Sequence, residues 1–196
     1  MSNENAQTAF LEVEKILQGK DFALVAIDGR CAGGKTTLAQ EIKELCGEKN
    51  ITCEIVHMDH FYPQLAQRTE ARLNEPGGNL DRERFLEEVM EKATARQAFS
   101  YTPYDPINHQ MEAPIEISSA QVMIFEGSYS CHPLFSDNYD MKIFMDVSMP
   151  TRLRRIKLRN GDDGLDMFIE KWIPKEEMYF LVYGIQERAD LEFNTG

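Results

Sequence analysis

The sequence predicts a single α/β domain, a parallel sheet covered by helices on both faces. Short continuous apolar runs of strand length alternate along the chain with segments whose apolar residues recur at helical spacing. That is the order right-handed βαβ crossovers produce. A length of 196 residues supplies one sizeable core and leaves no room for a second full domain, so residues 1–196 are read as one unit.

In chain order, Phe10, Val13 and Leu17 fall on one helical face, and Gly19 stops that helix. Residues 22–27 (FALVAI) are a continuous apolar run, expected of a strand buried on both sides. From Lys35 onward, Leu38, Ala39, Ile42, Leu45 and Cys46 form one stripe, ended by Gly47. Residues 51–57 (ITCEIVH) read as a second strand. Phe85, Leu86, Val89, Met90 and Ala93 make another helical stripe, with Asp81 placed to cap its start. Residues 121–125 and 141–147 read as two more buried strands and 152–159 as a basic helix. Met178, Leu181, Val182 and Ile185 mark a further helix, and 189–193 (ADLEF) a last edge strand. Two segments fall outside the alternation: 62–80 is long and polar, and 100–117, rich in Pro and Tyr, reads as a hairpin. Both adjoin strand ends, where ligands bind in such folds.

Composition narrows the partners. A formal charge of −12 argues against a nucleic-acid partner, which calls for a basic face. It does not argue against a nucleotide, because a phosphate site needs only local positive charge. No apolar run approaches the roughly 20 residues that span a bilayer, so no membrane partner is expected. The first residues, MSNENAQTAF, lack the basic and apolar regions of a secretory signal. Cys31, Cys46, Cys53 and Cys131 form no CxxC pair and read as reduced thiols of a cytoplasmic protein. A homo-oligomer is compatible with this composition, which does not set the oligomeric state.

After the first strand comes Gly29-Arg30-Cys31-Ala32-Gly33-Gly34-Lys35-Thr36, a full GxxxxGK[ST] followed by Thr37 and an amphipathic helix. The glycines let successive backbone N–H groups wrap an anion, and the helix adds its positive end. Lys35 can reach the β- and γ-phosphates and Thr36 can ligate Mg²⁺, which makes a nucleoside triphosphate the expected ligand of residues 29–37. No NKxD follows, which disfavours a guanine-specific GTPase.

Three further features suit phosphoryl transfer. Asp59 lies just past the second strand, at the sheet edge where the loop also sits, and can take a proton from a hydroxyl or hold water on Mg²⁺. Glu126 follows an apolar strand in the Walker-B manner, near the metal. Arg152, Arg154, Arg155, Lys157 and Arg159 crowd one helix of an acidic chain, and the segment NGDDG (160–164) after it reads as the hinge of a lid spanning about 151–166. His57 and His60 are not expected to share a face or a metal, and Trp172 reads as packing at a helix start.

Together the blocks AIDGRCAGGKTTLAQ, VHMDHFYP, NLDRERF, YDPINH, IFEGSYS, DMKIFMDV with TRLRRIKLRNG, and WIPKEEMYF with ADLEFNT resemble the uridine kinase-like branch of P-loop kinases. That branch also contains phosphoribulokinase and bacterial pantothenate kinase. The resemblance implies a P-loop NTPase three-layer sandwich, with a five-stranded parallel sheet in the order 2-3-1-4-5, a small lid and a hairpin insertion. It implies Mg²⁺ and ATP, Asp59 as general base, Lys35 and Thr36 on the phosphates and metal, Glu126 near the metal, and Arg155 and Arg159 as lid arginines. It implies a kinase that moves the γ-phosphoryl group onto a hydroxyl of a small molecule in the manner of a uridine or nucleoside kinase, the acceptor expected against Asp59, Tyr62, Tyr104, Asp105 and His109. The chain departs from the uridine kinases' YDFxxHxR stretch: Pro106 stands for the Phe, and Met111 for the Arg. His60 stands where many relatives carry a second Asp. Two alternatives remain: a regulatory ATPase without an acceptor, or a nucleoside monophosphate kinase whose second phosphate site uses Arg68, Arg72 and the lid arginines.

Overall fold

The computed structural model describes residues 2–196; Met1, where the N-terminal reading began, lies outside them. Helix α1 (Ser2–Gly19) leads into β1 (Ala23–Gly29), and α2 (Lys35–Glu48) into β2 (Cys53–His57). A 3₁₀ turn, Met58–Phe61, leaves β2. The polar segment that follows holds a second turn, Leu65–Gln67, and α3 (Glu70–Asn74). Helix α4 (Arg82–Phe85) continues through a π-turn, Leu86–Met90, into α5 (Glu91–Thr94). The hairpin region contains β3 (Phe99–Tyr101), β4 (Tyr104–Asp105), β5 (Gln110–Met111) and β6 (Ile115–Ile117), with β3 antiparallel to β6 and β4 to β5. Strands β7 (Val122–Glu126) and β8 (Met141–Asp146) precede α6 (Met149–Met167), a π-turn (Phe168–Trp172), α7 (Ile173–Tyr183) and β9 (Leu191–Asn194).

The main sheet is parallel, in the order β2-β7-β1-β8-β9. Counting only its own five strands in chain order, this is 2-3-1-4-5; the short hairpin strands supply the intervening numbers. Side chains alternate between the two faces, as the strand repeat of two requires. Val25, Ile27, Ile124 and Ile143 pack under α1 and α2 with Ala9, Val13, Leu38 and Ile42. Leu24, Ala26, Phe125 and Phe144 pack on the opposite face with Phe85, Val89, Tyr179 and Phe180. The register aligns Ile27 and His57 with Glu126, so the carboxyl ends of β1, β2 and β7 finish together. That shared edge builds the site.

Several boundaries differ from expectation. Helix α2 runs past Gly47 to Glu48, and Asn50, in the left-handed region at φ 59, turns the chain instead. Strand β9 begins two residues later than expected. Asp81 caps α4 as expected, accepting from the Arg84 N–H at 3.3 Å. The stripe expected of the last helix holds only in part: Ile185 is buried, but Leu181 is 83% and Val182 57% exposed, while Ile173, Glu176, Tyr179 and Phe180 face inward. The helix turns its aromatic face to the core, which buries more area than the aliphatic one.

Candidate active site

Gly29, at φ 129, ends β1 so close to β8 that a Cβ there would lie 2.3 Å from the Met145 carbonyl oxygen. Gly34, left-handed at φ 91, caps α2. The first N–H to find a carbonyl along α2 is that of Leu38, on Gly34 at 3.0 Å. The N–H groups of Lys35, Thr36 and Thr37 therefore point beyond the helix end, the donors an anion takes up. The Lys35 ammonium lies folded on the Gly29 and Arg30 carbonyls at 2.6 and 3.0 Å. Ala32, Gly33 and Gly34 line the same concavity.

The loop is held from behind by groups that sequence reading missed. Arg152, wholly buried, donates to Glu176, to Glu177 at 2.8 Å and to Cys31 Sγ at 3.1 Å. Glu176 also accepts the Cys31 N–H at 3.1 Å and the Ser128 hydroxyl at 2.6 Å. The Arg30 guanidinium points away from the concavity, onto Asp146 at 2.7 Å and onto Glu177. Burial, aided by the Glu176 charge, pushes the Cys31 thiol up to about 12. Asp28, fully buried beneath the loop, accepts from the Gly29, Tyr129 and Cys131 N–H groups and from the Tyr179 hydroxyl. Arg152 thus leaves the expected lid cluster and serves as the loop's internal counter-ion.

At the edge of the sheet the Thr36 hydroxyl donates to Glu126 Oε1 at 3.1 Å, and His57 Nδ1 lies 2.5 Å from the same oxygen. The Glu126 contact raises the His57 pKa. His57 and His60 do meet, rings 5.3 Å apart edge to face, because a 3₁₀ turn stacks residues three apart. Their nitrogens serve different partners, with His60 Nδ1 on the Tyr101 hydroxyl at 2.9 Å. Asp59 opens onto the cavity yet is enclosed by protein on its other sides. Burial raises its pKa, Lys35 opposes this, and Glu126 and Glu176 add to it. Among the described residues no three His, Cys, Asp or Glu form a metal cage. A hydroxyl beside one or two carboxylates instead fits Mg²⁺, which retains waters and completes its shell with phosphate oxygens.

The loop, Asp59 and Glu126 line one cavity of about 950 Å³, together with Tyr62, Arg68, Ile107, Arg155, Arg159, Lys171 and Trp172. Tyr62 and Trp172 meet edge to face at 5.8 Å, so Trp172 faces the cavity rather than serving only as packing. Tyr104 is buried, its hydroxyl held by Arg68 at 3.3 Å. Asp105 caps its own turn, accepting from the Ile107 and Asn108 N–H groups, and His109 is exposed at the hairpin tip. The hairpin reaches the cavity through Pro106 and Ile107 instead. Arg155 donates to the Ala32 carbonyl at 3.0 Å and to Thr195, while Arg159 is exposed and bonds Asn160 at 2.8 Å. Inside α6, Gly161 breaks the helix at φ 73, ψ −174, within the segment read as a hinge.

The sequence is 27% identical over 149 residues to uridine-cytidine kinase 2-B of Danio rerio, covering 70% of this chain and 57% of that protein. The match therefore spans little more than half the length of that curated relative. It is 27% identical over 191 residues to a uridine kinase of Mycoplasma pneumoniae, covering 89% of this chain and 86% of the relative. A solved structure described as a possible uridine kinase from Bacillus stearothermophilus shares the fold, with a TM-score of 0.72 over 97% of each chain at 19% identity. No protein-family model matches the chain. Among the described residues no helix is long and apolar enough to cross a membrane.

Proposed function

We propose that this chain, a member of the uridine kinase-like P-loop kinases, moves the γ-phosphoryl group of Mg-ATP onto a hydroxyl of a small molecule. One observation carries the reading: the phosphate loop, Glu126 and a carboxylate of raised pKa, Asp59, face a single cavity large enough for two small ligands.

The unengaged N–H groups at the start of α2 receive the phosphates, and Lys35 exchanges its loop carbonyls for phosphate oxygens. Thr36 and Glu126 would hold Mg²⁺, which, when bound, neutralises charge on the β- and γ-phosphates. Asp59 takes the acceptor's proton; its raised pKa brings it closer to the operating pH, where a general base works best. Arg155 and Arg159, both on the cavity wall, turn onto the transferring group. Catalysis then consists of positioning and charge stabilisation.

The two sequence relatives are named as kinases of uridine and cytidine, which makes nucleosides the first acceptors to test. The monophosphate kinase alternative loses one of its cations, because Arg72 is engaged by Glu83 at 2.7 Å and by the Gly78 and Leu80 carbonyls. Coupled ADP production over a panel of nucleosides, nucleoside monophosphates, sugars and hydroxy acids tests the reading. A kinase needs an added acceptor for rapid turnover. ADP release unchanged by every acceptor would instead indicate a regulatory ATPase.

A further inference from the structure

In a chain with a formal charge of −12, five of the eleven arginines, Arg30, Arg72, Arg82, Arg84 and Arg152, pair with carboxylates among the described residues. Of those without an ion pair among the described residues, three line the cavity: Arg155 and Arg159, both carried by α6, and Arg68, which is half-buried and comes from the polar segment after β2. The place of Arg68 is fixed without an anion: Nε donates to the Pro63 carbonyl at 2.7 Å and Nη2 to the Tyr104 hydroxyl at 3.3 Å. Its guanidinium lies 4.6 Å from the Tyr62 ring centre and 5.6 Å from that of Tyr104. A second cation, Lys171, stands 4.4 Å from the Trp172 ring centre, and Trp172 in turn meets Tyr62.

Orienting a long side chain costs rotamer entropy, and aromatic faces and one carbonyl leave a guanidinium's charge uncompensated. The remaining N–H groups of a planar fork, fixed on a cavity wall, match a carboxylate or phosphate. Of the four acids that line the cavity, Asp59, Glu126 and Glu176 serve the transfer chemistry or the loop, and Glu41 belongs to α2.

We infer that the acceptor carries an anionic group, a carboxylate or a phosphate, beside its reacting hydroxyl, and that Arg68 is the specificity-determining residue that recognises it, with Lys171 adding charge. This rests on the kinase reading above and narrows it: a neutral nucleoside would leave Arg68 unmatched. An arginine in this position binds through charge-assisted hydrogen bonds, so its removal weakens anionic acceptors about 10- to 100-fold.

Trp172 is the sole tryptophan and touches Tyr62, so its fluorescence reports on this end of the cavity. With the phosphate loop saturated by Mg²⁺ and a non-hydrolysable ATP analogue, the wild type is titrated with glycerol, glycerate, glycerol 3-phosphate, uridine, uridine 5′-monophosphate and inorganic phosphate. Arg68→Gln, Arg68→Lys and the charge-matched surface control Arg96→Gln are titrated alongside, with thermal unfolding confirming that each is folded. The expected result is a saturable response to anionic members. It weakens 10- to 100-fold in Arg68→Gln, recovers partly in Arg68→Lys and is unchanged in Arg96→Gln. Glycerate and glycerol 3-phosphate separate carboxylate from phosphate recognition. Equal weakening of neutral and anionic compounds, or no Arg68-dependent response to any anion, overturns the inference. ADP release is scored separately. Turnover with neutral acceptors alone overturns the inference and leaves the kinase reading standing. Anion binding through Arg68 without acceptor-dependent ADP release overturns the kinase reading instead.

Discussion

Replacing Asp28 by Asn changes one atom in a site where every neighbour is a donor. Oδ1 accepts the Gly29 and Tyr129 N–H groups at 2.7 and 3.2 Å; Oδ2 accepts the Cys131 N–H at 2.9 Å and the Tyr179 hydroxyl at 2.8 Å. An amide is best placed with its oxygen toward Gly29 and Tyr129. Its NH₂ then faces Cys131 and Tyr179. The Tyr179 hydroxyl can rotate and accept, but the Cys131 N–H is left buried without a partner, which costs about 1–3 kcal/mol. Burial already pushes the Asp28 pKa up, so neutralising it recovers part of that loss and keeps the net within the same range. For a domain of this size the expected drop in Tm is roughly 2–12 °C. Tyr179→Phe removes one hydroxyl and should cost about 1 kcal/mol, and because the two groups touch, the double variant should fall short of additivity by roughly 0.5 kcal/mol or more. Thermal unfolding by circular dichroism gives all four values, and titration with a fluorescent ATP analogue reports the loop. An Asp28→Asn protein that melts within about 1 °C of the wild type and binds nucleotide equally well would refute the claim that this carboxylate clamps the loop.

Asp59→Asn should lower kcat by about 10²–10⁴-fold with little change in nucleotide affinity, read by steady-state kinetics beside nucleotide titration. Because the wild-type Asp59 pKa is raised, the acidic limb of kcat/KM should lie above the ordinary carboxylate range of about 4. Glu126→Gln should shift the Mg²⁺ concentration for half-maximal rate upward about tenfold, measured in a Mg²⁺ titration at saturating ATP. Burial lowers the His132 pKa from 6.5 to about 4. The unfolded chain therefore binds the extra proton between those values, and stability present above pH 6.5 is lost as the pH falls toward 4. His132→Phe should flatten that slope in denaturant titrations at a series of pH values. All four cysteines are buried, and Cys31 at about 12 carries no thiolate at neutral pH, so the native thiols should react with a disulfide reagent at least tenfold more slowly than the unfolded ones.

The sheet and the phosphate loop were legible because their signals are local. An apolar run, a glycine loop and an amphipathic stripe each lie within about 25 residues, and the strand order followed from the resemblance those blocks carry. The groups that brace the loop were not legible. Asp28 stands between the apolar run and the glycine loop with no local signal of its role, and its partners other than Gly29 lie 101 to 151 positions away. Arg152 sits among arginines that the sequence treats alike; only the fold reveals that it is sequestered while Arg159 is exposed. The meeting of His57 and His60 was missed because 3₁₀ geometry after β2 leaves no periodic signal in so short a span. On the last helix, two candidate faces were apolar, and periodicity alone could not rank the aromatic one first. Tyr104 and Asp105 show a different gap: motif position says which residues stand near an acceptor, but not that one would brace Arg68 and the other its own turn.

The break at Gly161 divides α6 into two halves with different freedoms. The first half is bolted to the phosphate loop and α7 through Arg152, and to residue 195 through Arg155. It cannot swing as a rigid flap without tearing a buried ion pair, so any closing movement is confined to the stretch between Gly161 and α7, where Leu165 and Phe168 pack against Ile156. Amide exchange should then draw a sharp line across this one helix, as slow as the sheet before Gly161 and markedly faster after it. On the proposed reading, Arg155 and Arg159 would act from the stationary side of that line.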